Sequence, residues 1–557
     1  MESATLWVPA LLLLLGSVGA FHSRSKLVLT RNSFLKVGVG KEGIQPSEVA
    51  ATSFKQMIVV LDSATSHSYF ETKPLREPVA WSAVFDHMAT KMGWEAENGR
   101  FNSTLGTLGF EVMTLDSLIG DSGYHQRLPS TESCPIVMMV GLQDSSPAKI
   151  ALAREITGDR PCVAAFDCAA PFQSLEVFGS TKAVGEEESR GLLSKLLGWV
   201  IGFGRGVNED LQQPKATADL VKEVWTRRSS DDLLFLMLVL INRYFSPFSG
   251  KLSTVVAATS AAKTGLNELS CMCCKCGKEL FGCVSDPLCK KAIDCLESCR
   301  SNDQVCSYKC ITSYESPKFE EFSQCILQRN NCLGNTAQIP LTPDPAPLNT
   351  FRGQPLSFET AEGIFEGHLK PRPGETNELL PTAQEPASWM VVTGVNPAYD
   401  QFSDQHQIFY RERNRRKIMW YDPVFKVETL DGQQVWRRRH YRVRRSKSPG
   451  QFRLTVLDNG VLSDEFWRIL DCDDELEWGV FYYSGAAAAA GTSYTGALIV
   501  TRDGDWPRDM RDPTSDTHRR IKQALARGGI NLWEVYEVSN TLRTGKNLAG
   551  QPPLGVL

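Results

Sequence analysis

Twelve of the sixteen cysteines in this chain fall between Cys271 and Cys332. So short a segment cannot bury enough apolar surface to hold itself together, so it needs either disulfides or a metal cluster. Zinc sites usually present CxxC pairs that bring four sulfurs into a tetrahedron. Here only Cys271, Cys273, Cys274 and Cys276 are tightly grouped, and every later gap is three residues or more. Cys295 and Cys299 are four apart, as are Cys306 and Cys310, so each pair lies on one face of a helix. Two such helices folded antiparallel around the SNDQ stretch would set Cys299 against Cys306 and Cys295 against Cys310. The spacing therefore predicts a disulfide scaffold in an oxidising compartment, with no metal.

Ahead of this stretch, Leu6 to Ala20 is an apolar run of signal-peptide length, too short to span a bilayer comfortably. Residues 21–46 read as a transit segment, since Phe21 to Lys41 is a basic, acid-free stretch with several Ser and Thr. Together they look like a two-part leader directing the chain to a plastid enclosed in the endomembrane system; plain secretion is the alternative. At 557 residues the chain has room for three or four domains, and its net charge of −4 argues against nucleic acid as a partner.

Residues 47–255 read as an α/β domain. FKQMIVVL, CPIVMMVGL and PCVAAFDCA are buried-strand patterns, alternating with helical patterns at 78–94 and 146–158. LLFLMLVLINRYF (233–245) is too short for a membrane span and reads as a buried helix. The IGFGRG glycines (201–206) follow a helical pattern rather than a strand, which does not suit a phosphate loop. No bound nucleotide is expected, and this domain's role is not legible.

The cysteine-rich domain spans 265–335, and the Pro-rich residues 336–386 read as a linker in which FETAEGIFEG forms a short packed helix. From 387 to 530 the pattern becomes eight short strands with turn signals and then a helix, THRRIKQALARGG. That is the pattern of a small antiparallel β-barrel with a closing helix, and a sandwich would look similar. Residues 531–557 read as a tail. The expected fold is thus multidomain: α/β, then disulfide-rich helical, then antiparallel barrel.

Two separate stretches resemble one family. The order Cys276, Cys283, Cys289, Cys295, Cys299, Cys306, Cys310, Cys325, Cys332 is similar to the cysteine-rich domain of violaxanthin de-epoxidases, with only the Cys299–Cys306 gap shorter. TGVNPAYDQF, KVETLDG, LDNG, FWRIL, VFYY and GALIVTRDG resemble that family's lipocalin domain. The large domain ahead of the cysteines makes the chain more similar to the violaxanthin de-epoxidase-related branch. Those nine cysteines are accordingly the expected disulfide set.

The resemblance implies an oxidoreductase of the xanthophyll cycle that reduces an epoxy-carotenoid with ascorbate as co-substrate in the acidic thylakoid lumen. It places the catalytic carboxylate in SDEFW, at Glu465 or else Asp464, and a cavity tyrosine at Tyr483. Trp389, Tyr482, Trp467, Asp400 and His406 are the substrate-contact candidates; His406 also titrates near the relevant pH. A carboxylic acid in an apolar barrel has a raised pKa and stays protonated in mild acid, as epoxide opening requires. The family's second cavity tyrosine is Val500 here, its histidine pair is shifted to His406 and Tyr410, and its glutamate-rich C-terminal helix has no counterpart in QPPLGVL. A non-catalytic lipocalin that binds carotenoid or another lipid is the alternative. The basic runs 411–417 and 437–447 suggest docking to a thylakoid membrane surface, with a solvated outer face as the plainer reading. A second copy of the chain is a further expected partner.

Overall fold

The computed structural model describes residues 55–99, 108–121, 123–124, 128–177, 214–245, 266–300, 303–367, 389–396, 402–411 and 418–541. The two leader segments, the IGFGRG stretch, Asp400 and most of the 411–417 run lie outside these residues.

Four parallel strands build the N-terminal sheet: β1 (Met57–Leu61), β2 (Phe110–Thr114), β3 (Ile136–Val140) and β4 (Cys162–Phe166), in the order β2–β1–β3–β4. Every residue of β1 and β3 is buried, because helices cover both faces of the sheet. Met57, Val59, Leu61, Ile136, Met138 and Val140 face α1 (Trp81–Glu97), α3 (Pro214–Thr226) and α4 (Ser230–Tyr244). Ile58, Val60, Val137 and Met139 face α2 (Pro147–Thr157) instead. The apolar run expected as a buried helix is α4, its N-terminus capped by Ser229 Oγ accepting from the Asp232 N–H at 3.0 Å. Among the described residues no helix is long and apolar enough to cross a membrane. At the carboxyl ends of β1, β2 and β3, where open α/β sheets hold their ligands, the Lys149 ammonium already fills the crevice. It lies 2.5 Å from Asp62, 2.7 Å from Asp116 and 3.1 Å from Asp144.

The cysteine-rich domain is four helices, α5 (Leu266–Ser285), α6 (Pro287–Ser298), α7 (Gln304–Ser313) and α8 (Pro317–Ser323), running into a π-helical turn at Gln324–Arg329. Five disulfides join Cys271–Cys332, Cys276–Cys325, Cys283–Cys289, Cys295–Cys310 and Cys299–Cys306. The last two are the pairs expected from helical spacing. They lie side by side, which is why the Cys299 and Cys310 sulfurs approach to 3.5 Å. Cys273 and Cys274 are free and exposed, whereas the free Cys134, Cys162, Cys168 and Cys472 are buried.

The C-terminal barrel has eight strands: β5 (Trp389–Gly394), β6 (Ser403–Arg411), β7 (Met419–Glu428), β9 (Tyr441–Arg445), β10 (Gln451–Asp458), β11 (Val461–Cys472), β12 (Trp478–Ala487) and β13 (Thr492–Thr501). They pair antiparallel in that order, and β5 closes the barrel by pairing with both β6 and β13. The stretch QQVWRRRHYRV divides at Arg439–His440. Its first half, β8 (Gln434–Arg438), pairs with β7 outside the barrel path. Outward-facing Val480, Tyr482 and Ile499 are covered by α10 (Asp516–Arg527) through Ile521, Ala524 and Leu525.

The short helix expected inside the Pro-rich stretch is present and packed, and the segment expected as a tail is packed as well. Within the Pro-rich stretch, α9 (Phe358–Glu366) seats Phe365 among the interior rings, at centroid distances of 4.4 Å from Phe452, 4.7 Å from Phe409 and 5.0 Å from Phe481. The Arg445 side chain holds this helix through Glu362 at 2.6 Å. After α10, residues 529–538 bind the α/β domain to the barrel. Trp533 enters the α/β core, and Glu534 is fully buried against Lys91 (2.7 Å), His87 (2.9 Å) and Ser230 (2.8 Å). Gly529 lies under Trp94 of α1, where an added Cβ would come within 2.2 Å of the indole.

Candidate functional site in the barrel

The site follows from strand alternation on β11. Side chains on a strand alternate sides, so Glu465, Trp467 and Ile469 turn inward while Asp464, Phe466 and Arg468 turn outward. Glu465 is paired across to Leu454 on one side and Gly485 on the other. Gly485 in turn faces Tyr494 on β13. A Cβ on Gly485 would sit 2.6 Å from the Tyr494 ring and 2.9 Å from Glu465 Cγ, so the glycine is what lets these two side chains meet.

Three donors converge on the Glu465 carboxyl. Trp467 Nε1 donates to Oε2 at 2.6 Å, Tyr494 OH to Oε1 at 2.7 Å, and Tyr441 OH reaches Oε1 at 3.4 Å. Burial pushes the Glu465 pKa above the usual carboxylate range, although Trp467, Tyr494, the Arg439 charge and Tyr441 all favour the ionised form. The group is therefore a hydrogen-bonded acid that keeps its proton at higher pH than a surface glutamate. Burial likewise raises the Tyr441 and Tyr494 hydroxyls well above their ordinary value, so both remain neutral donors.

A cluster of packed aromatic rings extends from the acid. Tyr483 stacks on Trp467 with 5.5 Å between centroids, and Tyr421 lies 5.2 Å from Trp467 and 5.2 Å from Tyr441. Gly496 leaves room for the Tyr483 hydroxyl, which an added Cβ would approach to 2.4 Å. On the acid's other flank, Arg439 pairs with Asp458 at 2.8 Å and lies 4.8 Å over the ring of Tyr308, which belongs to α7 of the cysteine-rich domain.

Residues 268–538 match the family model described as the VDE lipocalin domain. Over that stretch the chain is similar to the violaxanthin de-epoxidases. It is 24% identical over 311 residues to the chloroplastic violaxanthin de-epoxidase of Nicotiana tabacum, covering 54% of this chain and 55% of that protein. The corresponding enzyme of Spinacia oleracea is 24% identical over 307 residues, with the same coverage. The chain thus spans about half the length of the curated relatives it matches. Among solved structures, lobster apocrustacyanin A1 is 10% identical, covering 29% of this chain and 81% of that one with a TM-score of 0.22.

Within this matched region the sequence-derived candidates separate. Glu465, Trp467 and Tyr483 meet in the interior. Asp464 faces outward and pairs with Arg453. Tyr482 points to the opposite side from Tyr483, donating its hydroxyl to the Pro343 carbonyl at 2.9 Å beneath α10. Trp389 is interior but at the α9 end, donating to the Ile364 carbonyl at 2.9 Å. His406 is fully buried, and burial pushes its pKa down to about 4, with Lys426 adding to the effect and Asp404 opposing it. It therefore stays neutral in mild acid, contrary to the switch expected of it. In the 437–447 run, Arg437, Arg438, Arg439 and Arg445 are paired with Glu315, Asp422, Asp458 and Glu362, not spread over a free face.

Sequence reading missed Tyr441, Tyr494, Tyr421 and Arg439. Gly485 and Gly496, each a glycine inside a strand pattern, were the available signal, since such a glycine marks a close approach by a neighbour.

Proposed function

We propose that this protein is a de-epoxidase-like oxidoreductase of the plastid that removes the epoxide oxygen from a xanthophyll, with Glu465 as the proton donor. The observation that carries this reading is a buried carboxyl with a raised pKa, held by Trp467, Tyr494 and Tyr441 among packed aromatic rings. An epoxide oxygen is a weak base, and its C–O bond opens when a neutral acid delivers a proton to it. Two electrons and a second proton then complete the step, leaving a C=C bond and water. Ascorbate, oxidised to dehydroascorbate, supplies both electrons. The stacked rings of Trp467, Tyr483 and Tyr421 would flank the polyene end, and the Tyr483 hydroxyl would orient the epoxide oxygen. Because such a substrate dissolves in lipid, the protein works at a thylakoid membrane surface, on its lumenal side.

A binding function without turnover is the second reading, and one observation favours it: Val500, where the family resemblance places a second tyrosine, offers no hydroxyl.

Oxidised full-length protein incubated with violaxanthin in galactolipid and ascorbate at about pH 5 distinguishes the two. Formation of antheraxanthin or zeaxanthin, followed by chromatography, supports the oxidoreductase. Retained pigment without conversion supports the binder, and neither outcome would reject both.

A further inference from the structure

We propose that the corner between α5 and α6 is a docking surface that inserts into an anionic lipid bilayer. Three large apolar side chains stand exposed there within eight residues: Phe281 at 73%, Val284 at 50% and Leu288 at 46%. Apolar side chains exposed close together, unlike ones scattered singly, mark sites that meet a partner or a membrane. The stripe is Phe281 and Val284, three apart on one face of α5, with Leu288 following at the bend.

Charge surrounds the stripe in the manner a lipid surface would select. Lys278 lies three residues before Phe281, and Lys291 three residues after Leu288, so each shares a helix face with its apolar neighbour. Lys275, Lys278, Lys290 and Lys291 are all exposed, and no ion pair among the described residues takes any of them. The contrast is with the arginines of the 437–447 run, four of which are spent on carboxylates of this chain. Asp286, the acid at the bend, is withdrawn from the surface chemistry: it caps α6 by accepting from the Cys289 N–H at 2.7 Å and from Ser316 Oγ at 3.1 Å.

The corner is also preorganised. The Cys283–Cys289 disulfide ties the last turn of α5 to the first turn of α6, with both sulfurs in the domain core. The apolar tips are thus presented outward without any segment having to order on binding. An apolar tip ringed by unpaired lysines fits the interface of a bilayer carrying anionic headgroups, where the rings enter the acyl boundary and the ammonium groups remain at headgroup level. This surface lies outside the barrel, and its test is independent of turnover at Glu465.

Sedimentation of full-length oxidised protein with sucrose-loaded vesicles tests the assignment, using galactolipid vesicles with and without about a quarter phosphatidylglycerol. Binding should require the anionic lipid and weaken with added salt. Phe281→Ser with Val284→Ser should reduce partitioning about tenfold or more, and Lys290→Glu with Lys291→Glu by a similar factor at low salt. Phe281→Trp should give an emission that shifts to the blue on vesicles and is quenched by brominated lipid. Near-identical circular dichroism confirms that each variant is folded. Equal vesicle binding by wild type and the serine variant overturns the proposal, as does failure of the wild type to bind anionic vesicles. So does a wild-type dimer in light scattering that the serine variant converts to monomer without any vesicle binding, which would show that a second copy covers the corner.

Discussion

The Arg439 guanidinium lies 4.8 Å over the ring of Tyr308, so a residue of the cysteine-rich domain seats the cation that faces the buried acid of the barrel. Tyr308 itself is fixed from both sides. It stands between Cys306 and Cys310, whose disulfides pin α7, and it packs on Phe402 and Phe425 of the barrel at 5.2 and 5.9 Å. The two domains are therefore joined at the place that sets the electrostatics of Glu465.

Removing that cation should make Glu465 hold its proton more strongly. In Arg439→Gln the carboxyl should protonate at a pH higher by on the order of one unit, since an opposite charge nearby favours ionisation. Infrared difference spectra of the carboxyl band, taken against Glu465→Gln, read the midpoint directly. Tyr308→Ala should move it the same way by less, and Tyr308→Phe, which keeps the ring, should not move it.

Glu465→Gln should abolish any turnover while leaving the fold intact, because glutamine keeps the hydrogen-bonding shape but has no proton to give. Its stability carries a second signature. With its pKa raised above the ordinary 4.5, Glu465 binds a proton in the folded chain that the unfolded chain has released. Its stabilising effect is thus complete below about 4.5 and is lost as pH rises through the folded value. The gap in melting temperature between the glutamine variant and wild type should accordingly widen as pH rises through that window.

Gly485→Ala should separate the acid from Tyr494. The added methyl would lie 2.6 Å from the tyrosine ring and 2.9 Å from Glu465 Cγ, both well inside contact distance. Overpacking of this kind costs about 1–3 kcal/mol, readable by denaturant titration. Loss of the Tyr494 hydrogen bond should also weaken ionisation of Glu465, giving an upward shift of its infrared midpoint.

Glu534→Gln tests the clamp between the α/β domain and the barrel. Burial alone would raise this carboxyl, yet the Lys91 ammonium and His87 hold it well below the usual range. Removing the charge leaves Lys91 buried beside Asp231 alone and should cost about 3–5 kcal/mol, seen in calorimetry as a lower transition. The pH sign is opposite to that of Glu465. Stability from Glu534 is present above about 4.5 and disappears as pH falls through its depressed folded value. Mild acid therefore relieves the cost of the barrel acid before it reaches the clamp.

Reduction of the five disulfides should release α5 to α8. Breaking Cys295–Cys310 alone, by paired serine substitution, should cost about 3 kcal/mol on chain entropy for a loop of that length. Loss of the Tyr308 seat should follow, so the Glu465 midpoint should move as it does in Tyr308→Ala.

Local chemistry was enough for several features. Buried strands of the α/β sheet announce themselves as unbroken apolar runs because helices cover both their faces, and the Cys295–Cys299 and Cys306–Cys310 spacings predict their own pairing because helical periodicity puts each pair on one face. The acid at Glu465 was reachable from SDEFW by resemblance. Its inward direction, and that of Tyr483 against Tyr482, depended on the register of β11 and β12, which a one-residue slip would reverse.

Long-range meetings were not legible. Tyr494 stands 29 residues from Glu465, and Tyr308 stands 131 residues from Arg439. Nothing local encodes either meeting, since each arises from strand pairing or domain docking. The same holds for Glu534, whose neighbourhood reads as a tail because a short segment shows its composition, whereas its burial is decided by the cavity it fills. The helix carrying Phe365 was legible as a short packed helix, but the rings it meets were not. By itself the sequence determined which segments must be strands, helices or sulfur-linked, because those follow from periodicity and spacing. Only the tertiary structure decided that one carboxyl would be sealed among three donors, because desolvation and charge act through space and not along the chain.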